Sequence, residues 1–223
     1  MGLRNEQSDF FREYAAAIEN IQHGSVQPKV GLYNSYIKRL FDIIFAFLGL
    51  IVAMPIIIVA GIIIKIETPG SMFFTQERVG FNGRYFRVIK LRSMGVDAER
   101  HGAQWAQKND PRVTKVGAFI RKTRIDELPQ LWNVLKGEMT LVGPRPERPI
   151  FTAQFNEEIP GFIERLKVTP GLTGWAQVNG GYEISPKEKL ELDLFYIQKI
   201  SFRLDMYIFF KTIKVVLTGD GAR

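Results

Sequence analysis

The chain has 223 residues, 46% of them hydrophobic, and a formal net charge of +7, enough for one good core and suited to an anionic partner such as a membrane surface, nucleic acid or phosphorylated substrate. It has no cysteine, and its two histidines, His23 and His101, stand far apart in polar stretches, which excludes disulfides, a thiol nucleophile, Cys-bearing zinc and a Ser-His-Asp triad. Chemistry must therefore rest on carboxylates, arginines and lysines, with a hard, oxygen-bound cation as the metal that suits them.

Residues 1–36 are polar and mixed, with an amphipathic stretch over Phe10 to Ile21 and a break at Gly24 to Pro28. No basic run leads an apolar core with a cleavage site, so the reading is a peripheral extension rather than a signal peptide. Ile43 to Ile64 then runs 22 residues without a charge, past the roughly 18 that mark a membrane helix. Pro55 near its middle predicts a kink. Lys38 and Arg39 before it and Lys65 after it are basic on both flanks, where a spanning helix favours one. That pattern fits a segment that dips in and returns, and a kinked spanning helix stays open on these residues alone.

Met72 to Met94 alternates as a strand pair around Asn82-Gly83, and Arg78, Arg84, Arg87, Lys90 and Arg92 spread cations over the hairpin. Val96 to Asn109 reads as a loop. Val113 to Lys122 reads as a short amphipathic helix with Val113, Val116, Phe119 and Ile120 on one face, delivering Arg121 to an acidic pair.

That pair is Asp126 and Glu127. Leu128, Leu131, Trp132 and Leu135 recur at helical spacing, Pro129 fits a first turn and Gly137 can close the helix. Two acids at a helix's positive end, with Arg121, Lys122 and Arg124 just upstream, make a phosphate-handling arrangement, and the helix end is expected to keep Asp126 ionised. A plain cap is the structural alternative. Gly143, Pro144 and Pro146 fix Arg145 in a rigid turn, placed for bidentate phosphate or carboxylate contact. Phe151 to Leu166 reads as a helix interrupted at Pro160-Gly161, and VTPGLTGWAQVNGGYE as a Gly-rich loop. Ser185 and Glu188 make a capping box for a helix to about Lys199. Leu204 to Leu217 is apolar with Lys211 and Lys214 on one side, the pattern of an interfacial helix.

Five ordered blocks, KRLFDIIFAFLGLIVAMP, FTQERVGFNGRYFRVIKLRSM, RKTRIDELPQLWNVLKGEMTLVGPRP, VTPGLTGWAQVNGG and ELDLFYIQKISFRLD, closely resemble the monotopic phosphoglycosyl transferases of the bacterial sugar transferase family, from about Tyr36 onward. The resemblance implies an α+β, mainly helical fold: a small β-hairpin, a re-entrant membrane helix and interfacial amphipathic helices. It divides the chain into an extension over 1–36, a membrane segment over 37–66 and a cytoplasmic catalytic domain over 67–223, at the cytoplasmic face of the bacterial inner membrane. It implies transfer of a sugar-1-phosphate from a UDP-sugar to polyprenyl (undecaprenyl) phosphate, with Mg2+ and release of UMP, as a first membrane step of exopolysaccharide or glycoconjugate synthesis. On the family pattern Asp126 is the nucleophile and Glu127 the Mg2+ ligand, with Asp126 as a second metal residue. Arg92, Arg121, Arg145 and Asp205 fall on charged positions that contact substrate. Two departures stand out: Met54 precedes Pro55 where relatives often carry Ser, and Gly181 ends VNGG where many carry Arg. An idle, membrane-anchored scaffold is the alternative from another class. Nucleic acid is disfavoured by the apolar segment, and a homodimer is left open.

Overall fold

The computed structural model describes residues 26–28, 31–100, 110–180 and 184–218. Its longest element is α1, Lys38–Glu67, about 45 Å long at ~1.5 Å per residue. A wider turn over Tyr33–Ile37 leads into it, and it runs on through Pro55. Asp42, Ala46, Ala53, Ile57, Ala60, Gly61 and Ile64 are buried at intervals of one to seven residues along it, which makes a single packed stripe. Small residues bring this stripe close to its support. A Cβ added at Gly61 would meet the Met72 sulfur at 2.4 Å. The other faces, from Ile43 to Ile66, stand exposed, and only 22% of the most apolar stretch is buried. By length and composition α1 can cross a membrane.

Both ends of α1 are tied to one body. At the start, Lys38 Nζ donates to the Val142 carbonyl at 2.8 Å and to Asp205 at 2.5 Å, and Arg39 donates to the Val134 and Leu135 carbonyls at 2.6 and 2.7 Å. Asp42 accepts from the Thr140 hydroxyl and the Leu141 N–H at 2.7 and 2.9 Å. At the far end, Glu67 accepts from the Lys115 and Val116 N–H groups, at 2.8 and 3.2 Å.

That body begins with the expected hairpin. β1 (Phe73–Val79) and β2 (Tyr85–Leu91) pair antiparallel, Phe73 opposite Leu91, and Asn82 and Gly83 take the left-handed conformation the turn demands (φ 51° and 75°). α2 (Lys115–Lys122) is capped by Thr114, whose hydroxyl accepts from Gly117 N–H. Its inner face is Val116, Gly117 and Ile120, while Phe119 is 61% exposed and Val113 lies outside the helix in a bridge to Met94. The expected four-residue face is corrected accordingly: a Cβ on Gly117 would stand 1.9 Å from the Ser93 carbonyl oxygen, so Gly117 is the point of contact.

A tight 3-10 segment, Ile125–Gln130, leads into α3 (Leu131–Lys136), which Gly137 ends in the left-handed conformation (φ 84°). β3 (Thr140–Val142) pairs in parallel with β4 (Gly171–Thr173). Their junction leaves no room for side chains, since a Cβ on Gly171 would lie 2.1 Å from the Gly143 nitrogen. α4 (Pro149–Glu158) and a 3-10 segment (Phe162–Lys167) flank Gly161, the interruption expected there. The stretch read as a Gly-rich loop instead contains β4 and α5 (Trp175–Asn179), anchored by Trp175 at 2% exposure. α6 (Pro186–Lys199) carries the full capping box, and α7 is Phe202–Thr218.

Two cores result. Phe162, Trp175, Phe195, Tyr196, Leu204 and Ile208 fill one beneath α5 to α7, and Ile64, Leu91, Ile120, Val134 and Met139 join α1 to β2, α2 and α3 in the other. Among the described residues the molecule is mainly helical with two small strand pairs, the α+β class expected. Of the extension, Val26 is 4% exposed within the first core and its carbonyl accepts from Lys167, so this residue is not peripheral. Phe10 to Ile21 and Gly181 lie outside the described residues. α7 turns Leu204, Asp205 and Ile208 inward, and Phe202, Phe210, Ile213 and Val216 stand exposed.

Candidate active site

Asp126 and Glu127 do not cap an α-helix. Pro129 offers no N–H to the carbonyls behind it, so α-helical bonding starts only at Leu131 and the acids ride in the 3-10 turn. Arg124, in the left-handed conformation (φ 58°), makes the corner after α2, and the turn has no side-chain cap. Both acids are buried, at 7% and 9% exposure. Anion stabilisation here comes from side-chain cations, chiefly those reaching in from β2 and from the Pro-Arg-Pro turn.

The two carboxylates sit differently. Glu127 Oε1 accepts from Lys90 Nζ at 2.8 Å and from Arg145 Nη2, and its Oε2 accepts from Arg145 Nη1 at 3.3 Å. Burial opposes its charge, but Arg145 and Lys90 outweigh burial and hold the Glu127 carboxyl well below the usual range. Asp126 accepts no hydrogen bond among the described residues. Burial, with the charge on Glu127, pushes its carboxyl up to about 6 against the pull of Lys90, Arg121 and Arg145. What opposes this burial and favours the charged form is therefore Lys90, Arg121 and Arg145, rather than the α-helix end expected from the sequence.

Arg145 is aimed by its own backbone. Three successive carbonyls of its turn are held: Arg145 O accepts from Arg165 Nη2 at 2.8 Å, Pro146 O from Arg78 Nη1 at 2.9 Å, and Glu147 O from Val79 N–H at 2.9 Å. Arg165, 3% exposed, pairs with Asp193 at 2.5 Å and stacks over the Phe162 ring at 5.0 Å. Burial works against the Glu147 charge, yet Lys189, Arg165 and Arg78 keep its carboxyl at about 2. These buried charges form a frame behind the turn.

Of the residues singled out in the sequence, the structure brings Asp126, Glu127 and Arg145 together, with Arg121 in electrostatic reach of Asp126. Arg92 and Asp205 are engaged at the two ends of α1. Arg92 donates to the Thr68 and Pro69 carbonyls at 2.8 and 2.5 Å, and Asp205 accepts from Lys38, from Tyr33 at 2.7 Å and from Tyr196 at 2.8 Å. Lys90 stood out only as one cation among five on the hairpin. Its strand alternation and the acids far along the chain were visible, but not that they meet. The Arg78, Glu147, Arg165, Lys189 and Asp193 frame gave no local sequence signal at all.

The donors present suit Mg2+. That ion takes one or two carboxylates, keeps waters and shares substrate phosphates. Asp126 and Glu127 supply that number, and no group of three acids or histidines exists among the described residues to make an all-protein cage. These two carboxylates are the residues that could hold such an ion, and both oxygens of Glu127 already accept from Lys90 or Arg145.

A family model described as bacterial sugar transferase matches residues 33–219, and the chain belongs to that family. It is 49% identical over 205 residues to the UDP-N-acetylgalactosamine-undecaprenyl-phosphate N-acetylgalactosaminephosphotransferase of Aeromonas hydrophila, covering 91% of this chain and 48% of that one. It is 57% identical over 155 residues to a protein of Bacillus subtilis named as a putative undecaprenyl-phosphate N-acetylgalactosaminyl 1-phosphate transferase, covering 70% of this chain and 85% of that one. The UDP-glucose:undecaprenyl-phosphate glucose-1-phosphate transferase of Escherichia coli is 41% identical over 211 residues, 87% of this chain and 46% of that one. The chain thus spans about half the length of the Aeromonas and Escherichia relatives and most of the Bacillus one.

Proposed function

We infer that the protein transfers a sugar-1-phosphate from a UDP-sugar to undecaprenyl phosphate through a covalent intermediate on Asp126. The observation that carries this is the asymmetry of the dyad: Glu127 is held by two cations, whereas Asp126 lies beside it with no hydrogen-bond partner among the described residues. A carboxylate free of donors keeps its lone pairs for attack.

In the first step an Asp126 oxygen forms a bond to the sugar-bearing β-phosphorus while the bond from that phosphorus to the bridging oxygen breaks, and UMP leaves with that electron pair. In the second, a phosphate oxygen of the lipid bonds to the same phosphorus and the Asp126 oxygen departs, giving the polyprenyl-diphosphosugar. No general base is needed, because both nucleophiles are anions. Mg2+, held by Asp126 and Glu127, would neutralise charge on the diphosphate when bound. Arg121 adds positive charge on the Asp126 side, and Lys90 and Arg145 keep Glu127 ionised.

The site belongs at the cytoplasmic surface of the inner membrane, with α1 entering and leaving on the same side. What supports this is that both ends of α1 bond to the body that carries the charged hairpin, which cannot enter hydrocarbon. Cysteines introduced at exposed Tyr36 and Ile66, in a chain with none of its own, should both be labelled from the cytoplasmic side. Labelling from opposite sides would refute the re-entrant arrangement.

The test of the reaction is UMP release. With UDP-sugar and Mg2+ but no lipid, the wild type should give a burst of at most about one UMP per site and Asp126→Asn none. UDP-N-acetylgalactosamine is the first donor to try, because the Aeromonas and Bacillus relatives carry that sugar in their names. A fully active Asp126→Asn would sink the nucleophile assignment.

A further inference from the structure

Gln130 closes the 3-10 turn that carries the dyad, three residues after Glu127. In a 3-10 turn residues three apart lie over one another, so Gln130 shares the Glu127 face, one turn on. It is 2% exposed, and its side-chain amide nitrogen is buried with no hydrogen-bond partner. A buried donor left unpaired loses its hydration without a replacement bond, so a chain that carries one in the turn of the dyad forgoes stability there. The neighbouring cations are already engaged: Lys90 and Arg145 donate to Glu127. A diphosphate offers many acceptor oxygens and almost no donors, and a neutral amide can receive one without adding charge next to Asp126.

We propose that Gln130 is a further substrate-contacting residue, whose amide N–H donates to a phosphate oxygen of the nucleotide-sugar diphosphate when it docks against the dyad. The assignment rests on the transferase reading of the dyad. It makes the free enzyme hold open a hydrogen bond that only the diphosphate completes.

The experiment compares Gln130→Met with wild type in two measurements, thermal unfolding of the free protein and titration with UDP in the presence of Mg2+. Methionine keeps the length of the side chain and removes the unpaired donor. The expected result is a melting temperature equal to or above wild type together with UDP affinity lower by about tenfold, the weight of one buried hydrogen bond to a charged acceptor. Gln130→Glu, which keeps the shape but sets a carboxylate against the phosphate, should weaken UDP at least as much. Unchanged UDP affinity in both variants would overturn the assignment, as would a lower melting temperature in Gln130→Met with affinity kept, because the amide would then have a structural partner. Failure of the wild type itself to bind UDP would instead strike at the transferase reading, so the two failures are distinct.

Discussion

At Asp126 the cost of the proposed role is visible in the direction of its proton affinity. Because the folded chain holds this proton more tightly than the unfolded chain, whose carboxyl titrates near 3.8, the group favours folding below that value and loses the contribution as pH rises through about 6. At pH 7 the charge is therefore a burden, and Asp126→Asn should unfold at higher temperature or denaturant, by at most about 3 kcal/mol, while turnover disappears. A destabilised Asp126→Asn would contradict the burial argument. The same shift predicts that turnover falls as pH drops through about 6, when Asp126 takes up its proton; a rate profile flat from pH 7 to 5 would contradict a raised proton affinity of Asp126 in the working enzyme. Arg145→Lys should be far from conservative. It replaces a two-point grip on Glu127 by one, and a loss of about 1–2 kcal/mol in stability with at least a tenfold drop in turnover is expected from urea unfolding and UMP assays.

Elements decide where those residues stand. α2 delivers Arg121, and its seat is Gly117, where any Cβ would run into the Ser93 carbonyl. Gly117→Ala should cost about 2–4 kcal/mol in unfolding free energy, a clash with backbone that cannot yield cheaply. Behind the Pro-Arg-Pro turn, Asp193→Asn would take from buried Arg165 the carboxylate it hydrogen-bonds, leaving only the longer carboxylate contact to Glu147, and breaking such a pair costs about 3 kcal/mol. Some of this was legible and some was not, for physical reasons. The hairpin and the α6 capping box declare themselves because their signals are local: Asn82-Gly83 for the turn, Ser185 and Glu188 three residues apart for the cap. The dyad turn misled, since Leu128 to Leu135 carries helical spacing, yet Pro129 withholds the N–H that would let the helix start earlier, and Trp132 ends up 51% exposed. Phe119 misled in the same way, because periodicity ranks an aromatic above a glycine and here the glycine makes the contact. Arg92 and Asp205 were marked as functional charges, and both bind the ends of α1, a use that no spacing along the chain could reveal. The frame around Arg145 joins residues from Arg78 to Asp193, and only folding brings them together.

For the whole molecule, the exposed apolar faces of α1 and α7 are what the proposed membrane location rests on. Ile58→Glu or Val59→Glu, at positions 50% and 57% exposed, should leave the fold intact and shift the protein out of the membrane fraction on sedimentation with vesicles, since a charge in hydrocarbon costs several kcal/mol. Retained membrane binding with both present would place the contact elsewhere. The grip of Arg39 on the carbonyls of Val134 and Leu135 has a mechanical meaning as well. It fastens the start of the apolar helix α1 to the end of the helix just beyond the dyad, so in a membrane the depth of α1 would set the height of Asp126. On the proposed function the bilayer would then work as a gauge for the reaction: thicker or thinner lipids would raise or lower the Asp126 carboxylate relative to the proposed acceptor's phosphate, leaving access to a soluble nucleotide unchanged.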